Sequence, residues 1–349
     1  MIEVKNLTKR FGPKIAVDNI SFEVKKGEVL GFLGPNGAGK STTMRMITGY
    51  FPQTSGTILI DGVDALAEPI SAKSKIGYLP ENAPLYTDMT VTGFLKFCAQ
   101  MRGLSGAEVS AGVRRAIDLC FLDAVRHQSI DTLSKGYRHR TCFAQAIIHD
   151  PQILILDEPT DGLDPNQKHE MRRLIRRMGE EKAIIFSTHI LEEVDAACSR
   201  AMIIDQGRVQ ADGKPDELRS KDPAAGTITV SISGLSGSGI RAELEKLSGV
   251  ARVAEIKAGD VSLEARITPN KSAGGQLAEQ IFKLCEERQL VLQELAVDPG
   301  RLDNMFHALT MPDTKVNEQA PPSATKPEPE PDAGETASEG GDPEPDEDK

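Results

Sequence analysis

The chain has 349 residues, 39% of them apolar, and a formal net charge of −11. This length allows two domains and some unstructured chain. The sequence contains no apolar run of about 18 residues, so we expect no membrane-spanning helix. Residues 1–5 lack the apolar core of a signal peptide, and the five cysteines form no Cys-x-x-Cys pair. We therefore expect a cytoplasmic protein with reduced core thiols. The sequence has no strong excess of basic residues, so we do not expect nucleic acid as a main partner.

The first elements in the chain are two segments that alternate apolar and polar residues, at 2–11 and 20–24. This alternation predicts half-buried strands of a small antiparallel sheet. Phe11 ends the first segment, directly before Gly12 and Pro13. An exposed ring at that position could stack on a nucleotide base, or it could simply pack against the turn.

The most informative stretch is residues 34–42, Gly-Pro-Asn-Gly-Ala-Gly-Lys-Ser-Thr, which follows an apolar run and precedes a helix-compatible segment. Its glycines let successive backbone N–H groups converge on phosphate oxygens. The helix after it adds free N–H groups and the positive end of its dipole. Lys40 can reach the β- and γ-phosphates, and Ser41 can ligate Mg²⁺. The stretch therefore predicts a nucleoside-triphosphate site.

The middle of the chain reads as strands separated by helices. Residues 57–62 and 75–81 are predicted strands, and residues 90–130 have mainly helical spacing. Ser134 is a predicted N-cap for the helix that follows. The region 90–130 is therefore a helical insertion between two nucleotide-handling stretches.

Polar side chains then follow two apolar strands. Asp157 and Glu158 come after four large aliphatic residues, and His189 ends the strand predicted at 183–189. Ligands bind at the carboxyl ends of parallel strands. We expect Asp157 to help hold Mg²⁺ and Glu158 to orient or deprotonate water. A solvated turn or a helix cap is the alternative for the two acids, and a structural role is the alternative for His189.

In this order, the stretches resemble the ATP-binding subunit of an ABC transporter over roughly residues 1–220. The matching segments are the P-loop at 34–42, the signature-like segment 133–137, the acidic strand 153–158, the D-loop 162–164 and His189. The resemblance implies an α/β P-loop fold with a mixed sheet core, an antiparallel β subdomain and a helical subdomain at about 88–150. It also implies ATP and Mg²⁺ as cofactors and ATP hydrolysis as the activity.

The resemblance carries over to individual residues. Phe11 would stack on adenine, and Ser41 and Asp157 would hold Mg²⁺ with Glu81 close by. The catalytic set would be Glu158, His189, Lys40 and Glu81. The residues around the phosphates would be Asn36, Gly37, Ala38, Gly39, Lys40, Ser41 and Thr42. Ser134, Gly136 and Asp164 would complete the ATP site of a second subunit, which gives a head-to-tail homodimer or heterodimer around two ATPs.

Two departures from the common family pattern point to a branch. Glu81 stands where most relatives have glutamine, and Lys135 and Tyr137 replace glycine and glutamine in the signature. Both resemble the ABC-2 exporter branch, and most closely its gliding-motility-type ATPases. This implies an exporter subunit on the inner face of the cell membrane, which touches the membrane only through a separate integral membrane permease. The permease would dock near residues 80–100. The alternative is a soluble ABC ATPase that acts on nucleic acid or ribosomes.

The rest of the chain has a different character. Residues 221–311 are predicted as an accessory α+β domain whose elements follow the β-α-β-β-α-β order of ferredoxin-like folds. A packing or dimer-stabilising role and a regulatory ligand site both stay open for it. Residues 312–349 carry eight prolines and 12 acidic residues against three lysines. We expect a disordered acidic tail there, because so little apolar surface cannot offset ordering entropy.

Overall fold

The computed structural model describes residues 1–82, 84–222, 224–270 and 276–310. Residues 1–311 form one compact unit. In the part of the chain that the structure describes, no separation is seen near residue 220, and the domain boundary expected there stays a prediction. Among the described residues, no helix combines the length and the apolar character needed to cross a membrane. The predicted disorder of residues 312–349 lies outside the described residues.

Strands and helices alternate along most of the chain. The strands are β1 Ile2–Phe11, β2 Lys14–Val24, β3 Val29–Leu33, β4 Ser55–Ile60, β5 Val63–Asp64, β6 Ile76–Leu79, β7 Ile153–Asp157, β8 Ala183–Thr188, β9 Arg200–Asp205, β10 Arg208–Gly213, β11 Ile228–Ser233, β12 Val250–Ala258, β13 Ser262–Pro269 and β14 Val291–Val297. The helices are α1 Lys40–Ile47, α2 Pro69–Ser74, α3 Val91–Met101, α4 Gly106–Leu119, α5 Lys135–Ile147, α6 Pro165–Gly179, α7 Leu191–Ala197, α8 Pro215–Arg219, α9 Gly237–Glu245, α10 Gln276–Glu287 and α11 Leu302–Thr310.

The first strands form the predicted antiparallel sheet, in the order β2-β1-β4-β5. Strand β2 begins at Lys14 rather than at residue 20, because Phe11 pairs directly with Lys14 across the turn of Gly12 and Pro13. Gly12 has a φ of +56°, which suits a glycine in a tight hairpin turn. Because the turn is short, β1 and β2 begin to pair directly after it, although residues 14–19 alternate only weakly between apolar and polar.

A six-stranded sheet in the order β10-β9-β3-β8-β7-β6 forms the centre of the molecule. All neighbouring strands are parallel except β10, which pairs antiparallel with β9. Strands β3, β7 and β8 are buried along their whole length, as in parallel sheets covered on both faces. Leu33 pairs with Thr188, and Asp157 pairs with Ser187. The register therefore brings the ends of these three strands to one edge.

The helical insertion predicted at 90–130 contains α3 and α4, which share one apolar core with α5. Phe94, Ile117 and Phe143 are buried within it. Thr90 caps α3 by accepting a hydrogen bond from the Gly93 amide, and Ser105 with Glu108 forms a capping box at α4. The sequence therefore specifies both the buried face of this layer and the starts of its helices.

Residues 228–297 form the predicted ferredoxin-like arrangement, an antiparallel sheet in the order β12-β13-β11-β14. Apolar residues of α9 and α10 cover one face of this sheet. After the sheet the chain adds α11, which the sequence analysis did not predict. Leu302 and Met305 of α11 belong to a buried apolar cluster that also contains Leu33, Val194 and Leu218, and α11 contacts α8 and β9. The last helix therefore returns to the six-stranded sheet at β9.

Candidate active site

The P-loop lines a cavity of about 420 Å³ next to the antiparallel sheet. Its wall contains both residues that the sequence analysis predicted for the site and residues that it did not predict. The lining residues are Phe11, Lys14, Ala16, Asn36, Gly37, Ala38, Gly39, Lys40, Ser41, Thr42, Glu81 and Glu158. The structure thus brings the predicted phosphate and adenine positions together with Glu81. Lys14 and Ala16 were missed, since the sequence analysis placed residues 12–19 in no element.

Two glycines hold the P-loop close to neighbouring backbone. A Cβ at position 34 would collide with the Ile204 carbonyl oxygen, and one at position 39 would lie 2.7 Å from the Ala16 carbonyl oxygen. Gly39 also has a φ of +108°, a conformation that strongly favours glycine. The loop therefore lies tightly against β9 and β2, and α1 starts immediately after it with its free N–H groups.

Lys40 is buried at the bottom of the loop, and 6% of its surface is exposed. Its ammonium donates hydrogen bonds to the Gly34 carbonyl oxygen at 2.6 Å and to the Pro35 carbonyl oxygen at 3.2 Å. Burial lowers the pKa of Lys40, and the carboxylates of Glu158 and Asp157 partly oppose that shift. The ammonium is therefore held in place by the loop itself, close to acidic groups.

Asp157 is fully buried at the end of β7. Its Oδ1 accepts hydrogen bonds from Ser41 Oγ at 3.1 Å and from Ser187 Oγ at 2.5 Å. Its Oδ2 has no hydrogen-bond partner among the described residues. A buried carboxylate oxygen without a partner is costly. A hydroxyl and a carboxylate with one oxygen unused fit the oxygen ligands that Mg²⁺ prefers.

Glu158 follows with a φ of +51°, an uncommon conformation for a residue other than glycine. Its amide donates to Ser187 Oγ at 3.0 Å, and its Oε2 lies 3.1 Å from His189 Nδ1. Burial raises the pKa of Glu158, and the hydrogen bond from His189 partly opposes that shift. A carboxylate with a raised pKa beside the P-loop is suited to accept a proton.

Ser187 is a residue that the sequence analysis missed. It is fully buried in β8 and contacts both the Asp157 carboxylate and the Glu158 amide. A signal was available, because a hydroxyl inside a buried apolar strand needs a hydrogen-bond partner. The identity of that partner, about 30 residues away, was not available from the sequence.

A second group of predicted residues lies apart from this cavity. Within the described residues, Ser134, Gly136 and Asp164 are not among its lining residues. Ser134 caps α5 by accepting from the Tyr137 amide at 3.4 Å, and Asp164 caps α6 by accepting from the Gln167 amide at 2.9 Å. A Cβ on Gly136 would collide with Gln167 Oε1. The N-termini of α5 and α6 therefore lie side by side.

Lys135, the unusual charge in the signature segment, turns toward its own D-loop. Its ammonium lies 3.3 Å from Asp161 Oδ2. Gly162 has a φ of +68°, and a Cβ there would collide with the Lys135 side chain. The signature segment and the D-loop are thus in direct contact within one chain.

Comparisons with known proteins agree with this geometry. The family model described as ABC transporter matches residues 17–161. The linearmycin resistance ATP-binding protein LnrL of Bacillus subtilis (strain 168) is 32% identical over 311 residues, which cover 89% of this chain and 98% of LnrL. The chain belongs to the ABC transporter ATP-binding family. It therefore binds and hydrolyses ATP as a transport ATPase, which confirms the resemblance and the activity inferred from the sequence.

Other members of the family support the same assignment. The Nod factor export ATP-binding protein I of Cupriavidus metallidurans is 35% identical over 231 residues, 66% of this chain and 76% of that protein. A solved structure of an ATP-binding subunit of an ABC transporter matches with a TM-score of 0.59 and 30% identity. That match covers 63% of this chain and 92% of that chain. The similarity to gliding-motility-type ATPases stays a prediction.

Proposed function

We propose that this ABC ATPase hydrolyses Mg-ATP in the P-loop cavity with Glu158 as the general base, and that it powers a separate membrane permease. The observation that carries the proposal is the meeting of three features at one sheet edge. These are the glycine-built loop around Lys40, the buried Asp157 with an unused oxygen, and the pair of Glu158 with His189. Each supplies one need of phosphoryl transfer: phosphate binding, cation binding and proton transfer.

Phe11 would stack on the adenine at the mouth of the cavity. Its ring is 48% exposed and makes an edge contact with Phe51 at 5.6 Å between centroids. The Lys9 ammonium lies 5.1 Å from the Phe11 centroid and 4.8 Å from the Phe51 centroid. These contacts hold one ring face in place and leave stacking area for a base.

The phosphates would lie against the amides of residues 36–42 and the Lys40 ammonium. Ser41 and Asp157 would hold Mg²⁺, with Glu81 on the same cavity wall, and the ion would neutralise phosphate charge. Glu158 would take a proton from a water molecule as that oxygen bonds to the γ-phosphorus. The bond from the γ-phosphorus to the β,γ-bridging oxygen breaks, which leaves ADP and inorganic phosphate. His189 would orient Glu158 and donate to the γ-phosphate.

Dimer formation would complete the site. Ser134 and Gly136 lie at the N-terminus of α5, and Asp164 caps α6, both apart from their own cavity. A helix N-terminus favours a phosphate group. In a head-to-tail dimer, the signature segment of one subunit would therefore close over the γ-phosphate bound by the other.

The test of the base and of the dimer uses Glu158→Gln, which keeps the size and polarity of the side chain. We expect ATP binding to persist, an ATP-dependent dimer in size-exclusion chromatography, and hydrolysis slowed by roughly 100-fold or more. Glu287→Gln on the exposed face of α10 is the matched control and should behave as wild type. Wild-type hydrolysis by Glu158→Gln contradicts its role as base, and a monomer at saturating ATP contradicts the dimer.

The permease would dock in a groove of about 560 Å³ between the end of β6 and α3. Tyr78, Pro84, Tyr86 and Phe94 are among its lining residues. The Tyr86 ring is 60% exposed and contacts Phe97 edge-on at 5.4 Å between centroids. An exposed aromatic groove next to Glu81 suits an amphipathic helix from a partner, and its position lets docking act on the ATP site.

The partner can be identified by pull-down of Glu158→Gln from native membranes with ATP. We expect a polytopic membrane protein in the eluate and its loss when Tyr86→Ala is added. Such a permease would place the ATPase at the inner face of the membrane. Identifying the transported compound would then allow the direction of transport to be measured. Glu81 and the Lys135–Tyr137 signature support export through their resemblance to the ABC-2 branch. Recovery of ribosomes without a membrane protein would favour the soluble alternative.

A further inference from the structure

Glu193 of α7 is a buried acid that lies outside the ATP cavity. It is 1% exposed, and each of its carboxylate oxygens is bound by a threonine. The Thr160 hydroxyl donates to Oε1, and the Thr188 hydroxyl donates to Oε2 at 2.7 Å. The Lys168 ammonium lies 4.0 Å from Oε1. Burying a carboxylate is costly unless it is well paired, and this one has a partner on each oxygen.

The two threonines flank the pair proposed to carry out catalysis. Thr160 is two residues after Glu158, and Thr188 directly precedes His189. The amide of Ile190 donates to the Thr188 hydroxyl at 3.0 Å, which fixes the turn after His189. Because Glu158 Oε2 and His189 Nδ1 are themselves 3.1 Å apart, the contacts close a ring. One carboxylate thus fixes the backbone on both sides of the ring.

From this arrangement we infer that Glu193 is a positioning residue for hydrolysis. It sets the distance between Glu158 and His189 through Thr160 and Thr188, without touching the nucleotide. Thr160 also lies two residues before the D-loop, and its carbonyl oxygen accepts a hydrogen bond from the Leu163 amide at 3.3 Å. This inference rests on the proposed roles of Glu158 and His189.

A positioning role predicts an effect on turnover rather than on ATP affinity. In Glu193→Leu the volume is nearly kept and both hydrogen bonds are lost. We expect kcat to fall by roughly 10- to 100-fold, as small misplacements of reacting groups do, while KM for ATP stays within about threefold. Glu193→Gln can accept from Thr188 and donate to the Thr160 hydroxyl, so it should recover most of that loss. Glu192→Gln, on the exposed side of α7, is the matched control.

A double-mutant cycle separates positioning from stability. In the His189→Ala background, Glu193→Leu should cost clearly less in kcat than it does in wild type. An equal cost in both backgrounds overturns the inference, and so does a lowered melting temperature with unchanged kcat. If Glu193→Leu does not fold, Thr188→Val and Thr160→Val each remove one hydroxyl at constant shape, and unchanged kcat in both overturns it as well.

The proposed function has its own readout in the same assay. Wild-type hydrolysis by Glu158→Gln would refute the base assignment whatever Glu193 does. A slow Glu158→Gln together with a wild-type Glu193→Leu would refute only the positioning role.

Discussion

The six-stranded sheet and the four-stranded sheet of residues 228–297 are built on opposite plans. In the first, β3, β7 and β8 are parallel and buried. The P-loop, the two carboxylates of residues 157 and 158 and the His189 imidazole lie at the ends of these strands, and therefore at one edge of the sheet. In the second, all strands are antiparallel, and β11 alternates buried and half-buried residues. Antiparallel strands send their carboxyl ends to opposite edges. Strand direction, rather than composition, therefore decides which sheet gathers reactive side chains.

Removing the Lys40 ammonium should have the largest effect of the changes that test this difference between the two sheets. Lys40→Ala removes a buried donor from the phosphate cradle, and charge-assisted hydrogen bonds contribute about 1.5–3 kcal/mol each. We expect affinity for a fluorescent ATP analogue to fall by roughly 100-fold. Lys283→Ala is the control in the other sheet region, since that lysine pairs with Glu279 on the surface of α10. Equal affinity losses in both variants would contradict a localised site.

The next effect concerns the proton-accepting pair. His189 lowers the pKa of Glu158 against the raising effect of burial, so His189→Ala should leave that pKa higher. A general base must be deprotonated, and its activity is lost as pH falls through its pKa. The acid limb of the kcat–pH profile should therefore move to higher pH, with a lower maximum. His169→Ala, exposed on α6, should keep the wild-type profile. An acid limb that does not move would contradict the assignment of Glu158 as the general base whose pKa His189 lowers.

The third effect tests whether α11 packs beside the six-stranded sheet. Met305 of α11 is buried in the apolar cluster that also contains Leu33 and Val194. Met305→Ala should lower the free energy of unfolding by about 2–3 kcal/mol, in the range for buried large-to-small changes. Denaturant titration measures this, with the exposed Asp303→Ala as control. A change below about 0.5 kcal/mol would mean that α11 does not pack there in solution.

The sequence was most informative where function depends on adjacent residues. The P-loop, Asp157 with Glu158, and His189 are each read from a short pattern next to an apolar strand, and the parallel register then brings them together. Ser187 and Glu193 were missed because Asp157 and Thr160, the residues they contact on the neighbouring segment, lie about 30 residues away in the chain. Such contacts depend on tertiary packing that no local pattern encodes.

Helix α11 was missed for a different reason. Its apolar residues at 302, 305, 306 and 309 have the spacing of an amphipathic helix. The segment lies between the last predicted strand and the proline-rich tail, and the domain was already complete as a β-α-β-β-α-β pattern. It contacts α8 and β9 and shares a buried apolar cluster with Leu33, and the sequence pattern gives no sign of these contacts.

The smallest expected effect decides between the two roles left open for the accessory sheet. Arg266 lies on the outer face of β13, between the buried Ala265 and Ile267, and is exposed. Arg266→Glu reverses a charge at the centre of that face. If the sheet only packs, kcat should change by less than twofold and stability by about 0.5 kcal/mol or less, as for ordinary surface substitutions. A larger change in ATP hydrolysis without a change in stability would show that this face communicates with the ATP site. The direction of that change would tell whether the face restrains or supports turnover.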